Sequence, residues 1–438
     1  MESKTKHHLI ITNTTLLCQG HALHNSLVNI YVDAEGVIYN IVPAQSDVIE
    51  HSDPEIWSYL DSYVSLGFVD AYVNIGEPGN EENETAFSLS QAALAGGVTH
   101  IGVSADNDPI TSTSADVKYI QQLFAQTGVS PHVWASISRT KGSDALSDIL
   151  ELSQAGAVGF HTGNTPMCDH SFALKAIEYV NQVYKPLAIL ARNKQLAGKN
   201  LIREGSTSLN LGMRGSPEEA EIIEVNSLCQ LAKMLNMPIH FTKVSCAESL
   251  DIISKYIKLG CSITADVSIH HLCYTDEYIQ DYDTNYKVIP PLGSDNDREE
   301  LRKALLKYNW LRVISDHKPL GFDDKILEYE YAKHGAIGVQ TLFNQLLSIY
   351  GVKHLPEIIE LLTVRNAKAL RIPNRNIEVG ANADLVWFNT NENYAFDANR
   401  NRSKSRNTPI FGHSFTGRVL GTISRGIVAS QNLIQSYK

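Results

Sequence analysis

LGFVDAYVNIGEPG, residues 66–79, sets a run of strand-forming apolar residues against a turn bracketed by glycines and carrying one acid. A strand covered on both faces reads as an unbroken hydrophobic run, and in parallel barrels the strand tips carry the chemistry. This tip offers Tyr72 and Asn74, both poor metal ligands. The same pattern recurs outward along the chain. Between about residue 60 and residue 372, short apolar runs alternate with longer amphipathic ones: THIGVSA, HVWASIS, AVGFH, PLAILA, PIHFTKVS, SITADVS and LRVISD follow the opening run, separated by segments such as ETAFSLSQAALAGG and SPEEAEIIEVNSLCQLAKMLN. Eight such units predict a (β/α)8 TIM-like barrel over 57–372 in the α/β class.

The flanks lack helical periodicity. HHLIITNTTLL, SLVNIYVD and GVIYNIV alternate over residues 7–56 as a small antiparallel sheet would, and ADLVWFN and GRVLGTISRGIVASQNLI after Pro373 read as strands again. Residues 1–56 and 373–438 are therefore expected to form one small sheet domain beside the barrel.

Composition narrows the functional classes. The chain has 438 residues, 43% hydrophobic and 19% charged, enough for a large core. Its 37 Lys and Arg against 48 Asp and Glu leave a net charge of -11, a field that repels nucleic acid and anionic membranes. MESKTKHHLIITNTTLL lacks the apolar core and cleavage site of a signal peptide, and no stretch is long enough to span a bilayer, so a cytoplasmic protein is expected. Cys18, Cys168, Cys229, Cys246, Cys261 and Cys273 form no CxxC pair and read as mostly buried thiols.

A family resemblance rests on several long blocks: LGFVDAYVNIGEPG, GSTSLNLGMRGSPEEAE, HFTKVSCAESLDII, SITADVSIHHLCYTDE, KVIPPLGSDNDREEL, VISDHKP and SKSRNTPIFGHSFTGRVLGTISRG. Together they resemble dihydroorotases of the amidohydrolase superfamily, over nearly the whole chain. The resemblance implies a (β/α)8 barrel with a small β-sandwich built from both termini. It also implies zinc, held by a His-x-His after the first strand, an acid or modified lysine after the fourth, two further histidines and a late aspartate.

Position by position, that ligand set is degenerate here. His-x-His becomes Tyr72-Val73-Asn74, the acidic turn falls at Thr162, one histidine position is Leu190 and the other is Lys243. The late aspartate survives as Asp316. The residues that hold the substrate carboxylate are altered too. The arginine position is Gly76, the asparagine position is Asp106, and the second histidine of the late motif is Leu320. Zinc needs imidazole, thiolate or carboxylate donors at about 2 Å, three of them in a catalytic site. One carboxylate beside a lysine ammonium does not supply that, so no metal and no cofactor are expected. Lys243 is instead expected to pair with Asp316 across the barrel mouth.

Other candidates carry weaker patterns. His270 and His271 in VSIHHL are expected on a strand, facing opposite ways, in packing roles. His161 and His240 lie near strand ends and are the donors a rebuilt metal site with Asp316 would use, although hydrogen-bonded core histidines are the commoner case. Arg192 and Lys243 are candidates for a small basic pocket, against a reading in which Arg192 snorkels to solvent or pairs with an acid. Ser245 and Cys246 read as turn residues, and Ser216, Pro217 and Glu219 as a helix start with proline in its first turn.

The leading expectation is a dihydroorotase-like protein without zinc-dependent hydrolase activity. It would act as a non-catalytic partner in pyrimidine biosynthesis, for example of aspartate transcarbamoylase, a role known for inactive relatives, and relatives also form homodimers. Two alternatives stand beside it: an active dihydroorotase or cyclic-amide hydrolase with a rearranged site, and a metabolite-binding sensor.

Overall fold

The computed structural model describes residues 8–46, 54–167, 169–199, 201–373 and 375–430; Cys168 and the two chain ends lie outside the described residues. Eight parallel strands form one sheet in the order of the chain: Phe68–Val73, Val98–Val103, Ser130–Ser136, Gly159–His161, Leu187–Ile189, Ile239–Phe241, Ile263–Ser268 and Leu311–Ile314. They are the eight apolar runs of the sequence. Every residue of Phe68–Val73 is buried, which a strand needs when helices cover one face and the barrel interior the other. Several of the covering helices start on side-chain caps. Thr85 accepts from Ser88 N–H ahead of Ala86–Ala95, Asp169 from Phe172 N–H ahead of His170–Gln182, and Ser294 from Asp297 N–H ahead of Asp295–Lys307.

The first and last strands are joined mainly by side chains rather than by a regular ladder. A single parallel bridge links Val73 with His317, and Asn74 N–H donates to His317 O at 2.7 Å. Asp70 Oδ1 accepts Ser315 N–H at 3.1 Å. From the helix Asn366–Ala369, Asn366 Nδ2 donates to Val69 O at 2.7 Å and Val313 O at 2.9 Å, so one buried amide spans both edges of the seam.

The ends of the chain build a separate seven-stranded sheet, ordered Ile427–Ser430, Ser414–Ser424, Leu385–Ala395, Glu55–Leu66, Leu9–Leu17, Leu27–Val32, Ile38–Pro43. The N-terminal part is not purely antiparallel as expected, because Leu9–Leu17 pairs parallel with Glu55–Leu66. The latter strand also carries the sheet to Leu66, well past residue 56. Gly67 alone separates it from the first barrel strand, and a Cβ there would lie 2.2 Å from Thr99 Oγ1 and 2.5 Å from Asp384 Oδ1. Trp57 stacks on Trp387 within this sheet, ring centres 5.3 Å apart. Of the five described cysteines, Cys229 and Cys246 are fully buried, while Cys18, Cys261 and Cys273 are partly so. Among the described residues no helix is long and apolar enough to cross a membrane.

Two substitutions probe the seam. Asn366→Ala removes a donor that bridges two buried carbonyls, and is expected to cost about 1–3 kcal/mol in urea denaturation. Asp70 is fully buried and its Oδ2 has no hydrogen-bond partner; burial raises its pKa to about 7 against the hydrogen bonds from Ser315 and Tyr72. A carboxyl whose folded pKa exceeds its unfolded value of about 3.9 keeps its proton only in the native state. Its stabilising contribution is thus complete below about pH 4 and is lost, at about 1.4 kcal/mol per pH unit, as pH rises towards 7. Asp70→Asn is expected to gain on the wild type across that window, and parallel stability profiles would show that Asp70 is ionised in the fold.

Candidate functional site

The loops after the barrel strands place nearly all of the expected positions at one end of the barrel. Lys243 follows Ile239–Phe241 and Asp316 follows Leu311–Ile314. Both adopt left-handed backbone, φ 57° and 48°, a conformation uncommon outside glycine and found where surrounding structure over-determines the geometry. Lys243 Nζ lies 3.3 Å from Asp316 Oδ1, donates to Asn164 Oδ1, and stands 5.3 Å from the centre of the Tyr72 ring. Lys243 is 1% exposed and Asp316 5%, so the pair is closed off from solvent. Burial raises the Asp316 pKa, while the Lys243 and Lys318 ammonium groups draw it back.

The first strand supplies the floor. Tyr72 stacks on His161 with ring centres 4.5 Å apart, and its hydroxyl accepts from Ser104 Oγ at 2.8 Å. Burial, with the Asp106 charge, holds the phenol well above its ordinary pKa, so it keeps its proton. Burial and Lys243 push His161 down to about 3, leaving it neutral, and its Nδ1 accepts Gly163 N–H at 2.7 Å. Asn74 Nδ2 donates to His317 O at 3.1 Å.

The remaining expected positions are held by the fold itself. Gly76 sits where the loop folds back, with Asn80 N–H on its carbonyl at 2.6 Å; a Cβ there would meet Asn80 O at 2.3 Å and Glu84 O at 2.5 Å. Backbone therefore excludes any side chain at the arginine position. Asp106 turns to the neighbouring loop, where its Oδ2 accepts Asn164 N–H at 2.6 Å. Thr162 Oγ1 accepts Leu190 N–H at 2.9 Å, while Leu190 and Leu320 are buried apolar residues.

Several sequence expectations are corrected. His270 and His271 lie on a short helix, Ile269–Cys273, because Ser268 ends the strand and its hydroxyl accepts His270 N–H at 3.2 Å. Burial lowers them to about 4 and about 3, respectively, so both are neutral packing residues. Arg192 neither snorkels nor meets an acid in a direct contact. It is 1% exposed and donates from Nη2 to Ser216 Oγ at 2.6 Å, the covering ladder Ile202–Arg203 with Gly215–Ser216 having sealed it in. Burial and the neighbouring Arg203 lower its pKa to about 10. Pro217 precedes the helix Glu219–Leu235 instead of lying in its first turn. Ser245 and Cys246 are turn residues, with Glu221 accepting their backbone N–H groups at 3.0 and 3.1 Å. His240 is committed to Asp266 Oδ2 at 2.8 Å.

Three contributors carry no sequence signature strong enough to single them out. Asn164 accepts from Lys243, and no motif distinguishes it from any other loop asparagine. Asp266 is the hub of the adjacent strand. Burial opposes its ionisation, but His240 and the Lys243 N–H at 2.7 Å outweigh that and lower its pKa. Lys318 faces Asp106 and Asp316, and burial lowers its pKa. Its place two residues after Asp316 in SDHKPL is the one available signal.

A parallel barrel with a sheet from both termini and polar side chains gathered at the strand ends is the architecture of the amidohydrolase superfamily. Solved structures agree on the fold: L-hydantoinase (dihydropyrimidinase) from Arthrobacter aurescens superposes with a TM-score of 0.81 at 20% identity, over 96% of this chain and 95% of that one. Dihydropyrimidinase from Brevibacillus agri NCHU1002 gives 0.80 at 18%, over 97% and 95%. No family model matches the chain. Sequence relatives narrow the class. The chain is 32% identical over 399 residues to a dihydroorotase of Caldanaerobacter subterraneus subsp. tengcongensis, covering 90% of this chain and 92% of the relative. It is 31% identical over 369 residues to one of Syntrophus aciditrophicus, covering 83% and 86%. The chain belongs to the dihydroorotase family.

The donor set at the mouth does not fit the zinc that the family resemblance implies. It presents a protonated phenol, two amides, an ammonium, the His161 imidazole whose Nδ1 already accepts Gly163 N–H, and one carboxylate already in contact with that ammonium, where zinc takes three or more imidazole, thiolate or carboxylate ligands. Among the described residues no group of three His, Cys, Asp or Glu side chains is placed to hold a metal ion.

Removing one partner of a buried ion pair strands the other. Lys243→Met is expected to cost about 3–5 kcal/mol in chemical denaturation. The double variant Lys243→Met/Asp316→Asn is expected to recover much of that loss, since asparagine tolerates the left-handed backbone at 316 and carries no charge. Additive losses would show the two side chains to be energetically uncoupled.

Proposed function

We propose that this dihydroorotase-family chain does not carry out zinc-dependent hydrolysis and serves as a non-catalytic partner in pyrimidine biosynthesis, with aspartate transcarbamoylase as the partner to test. The observation that carries the reading is the Lys243 ammonium, held among Asp316, Asn164 and Tyr72 in the strand-end site. Hydrolysis of a cyclic amide needs an activated water and a polarised carbonyl. Asp316 is the only carboxylate kept from the implied ligand set, and it is engaged by a cation, so it is poorly placed to serve as a base. The anion clamp is gone as well, Gly76 being closed off by backbone and Asp106 adding negative charge. Retention of the whole barrel, with its side-chain seam and caps, is consistent with selection for shape.

The purified protein is expected to carry no stoichiometric zinc, to show no rise in Tm on adding zinc, and to leave dihydroorotate unhydrolysed. It is also expected to comigrate with aspartate transcarbamoylase on size exclusion. Stoichiometric zinc together with turnover would replace this reading by that of an active amidohydrolase with a rearranged site. An inactive, zinc-free protein that ignores the transcarbamoylase would retain the first half of the proposal and reject the partner.

A further inference from the structure

A cavity of about 560 Å³ opens beside the barrel mouth. Its walls come from four separate segments: Glu82 and Asn83 after the first barrel strand, Thr284 and Asn285 from a later loop, Leu320, Phe322, Lys325 and Ile326 after the last barrel strand, and the returning loop that carries Lys404, Arg406 and Phe411. Neither Lys243 nor Asp316 lines it, while Leu320, one of the positions implied to hold the substrate carboxylate, does.

The returning loop is rigidly held and presents its charges in a fixed pattern. Ser403 bonds to Glu84, Lys404 N–H donates to Glu84 Oε1 at 3.1 Å, and Ser405 Oγ donates to Asn83 O at 2.8 Å. Asn407 Nδ2 donates to Lys318 O at 2.9 Å and Gly335 O at 3.1 Å. Residues 403, 405 and 407 are buried by these bonds, whereas Lys404 and Arg406 between them are exposed.

On a chain of net charge -11, two cations, Lys404 and Arg406, meet one acid, Glu82, around this cavity, together with Lys325, whose pKa burial lowers to about 7. Lys325 Nζ donates to Lys333 O and Gly335 O, both at 3.0 Å, and Lys404 Nζ to Glu81 O at 2.8 Å. Arg406 carries the exposed guanidinium, a planar fork suited to carboxylate or phosphate. The apolar side is equally distinct. Phe322 is 78% exposed, too open to contribute much to the core, while Phe411 is backed by Phe396 at 5.6 Å. The volume lies within the range of small-molecule sites, which combine apolar walls with a few placed polar groups.

From this geometry we propose that the cavity binds a small anion bearing a planar ring, with Arg406 and Lys404 on the anionic group and Phe322 against the ring. An aryl carboxylate and a nucleoside monophosphate share that chemistry, and the probes separate them.

The test is isothermal titration of the full chain with benzoate, with AMP and with inorganic phosphate. Saturable binding of benzoate or AMP is expected, and whichever binds assigns the source of the anion. Arg406→Ala is expected to weaken it about tenfold and Phe322→Ala about fivefold or more. Both positions are exposed, and unchanged thermal unfolding of the variants would show that they fold. Phosphate binding as tightly as the ring-bearing anions would overturn the role of Phe322. Absence of binding by both ring-bearing probes, or affinity unaffected by Arg406→Ala, would overturn the proposal.

Discussion

The contact between the Lys243 ammonium and the Asp316 carboxylate, sealed under the loops of the barrel, is the constraint around which the strand-end site is arranged. Two opposite charges taken out of water each incur a large desolvation cost, and only close pairing with further hydrogen bonds offsets it. Asn164 and the face of Tyr72 supply those further contacts. The left-handed backbone at 243 shows that neighbouring structure holds the pair in place, since lysine rarely adopts that conformation by itself, whereas aspartate at 316 tolerates it more easily.

That support extends one layer outward. Asp266 fixes the Lys243 backbone while holding His240, and Asp106 fixes the loop that carries Asn164. Each of these acids near the mouth has a backbone donor or a cation to serve, which leaves no set of free carboxylates and imidazoles pointing at a common centre among the described residues. The barrel itself persists because its stability rests elsewhere. Apolar strands, capped helices and the Asn366 and Asp70 seam do not depend on what occupies the mouth.

Two of the cations of the cavity beside the mouth, Lys404 and Arg406, sit on a loop whose residues 403, 405 and 407 are spent on anchoring, one of them on the Lys318 carbonyl at the mouth. The cavity and the strand-end positions are therefore neighbours rather than separate, since Leu320 belongs to both.

The barrel was legible in the order of residues. Eight runs such as FVDAYV and ITADVS are hydrophobic enough to be buried on both faces, and the amphipathic segments between them have the period of helices. Equally legible was that Tyr72, Asn74, Leu190 and Lys243 are poor metal donors, because that is a matter of residue chemistry alone. Packing in three dimensions was needed to pair Leu9–Leu17 parallel with Glu55–Leu66, to set His270 and His271 on a helix, and to bury Arg192 against Ser216. It also brought Asn164 and Lys318 to the mouth and filled the space beside Gly76 with backbone. Periodicity and donor type are local properties of a chain. Register, a strand's stopping point and the company a buried charge keeps depend on segments far apart in the chain, and so appear only when those segments are packed together.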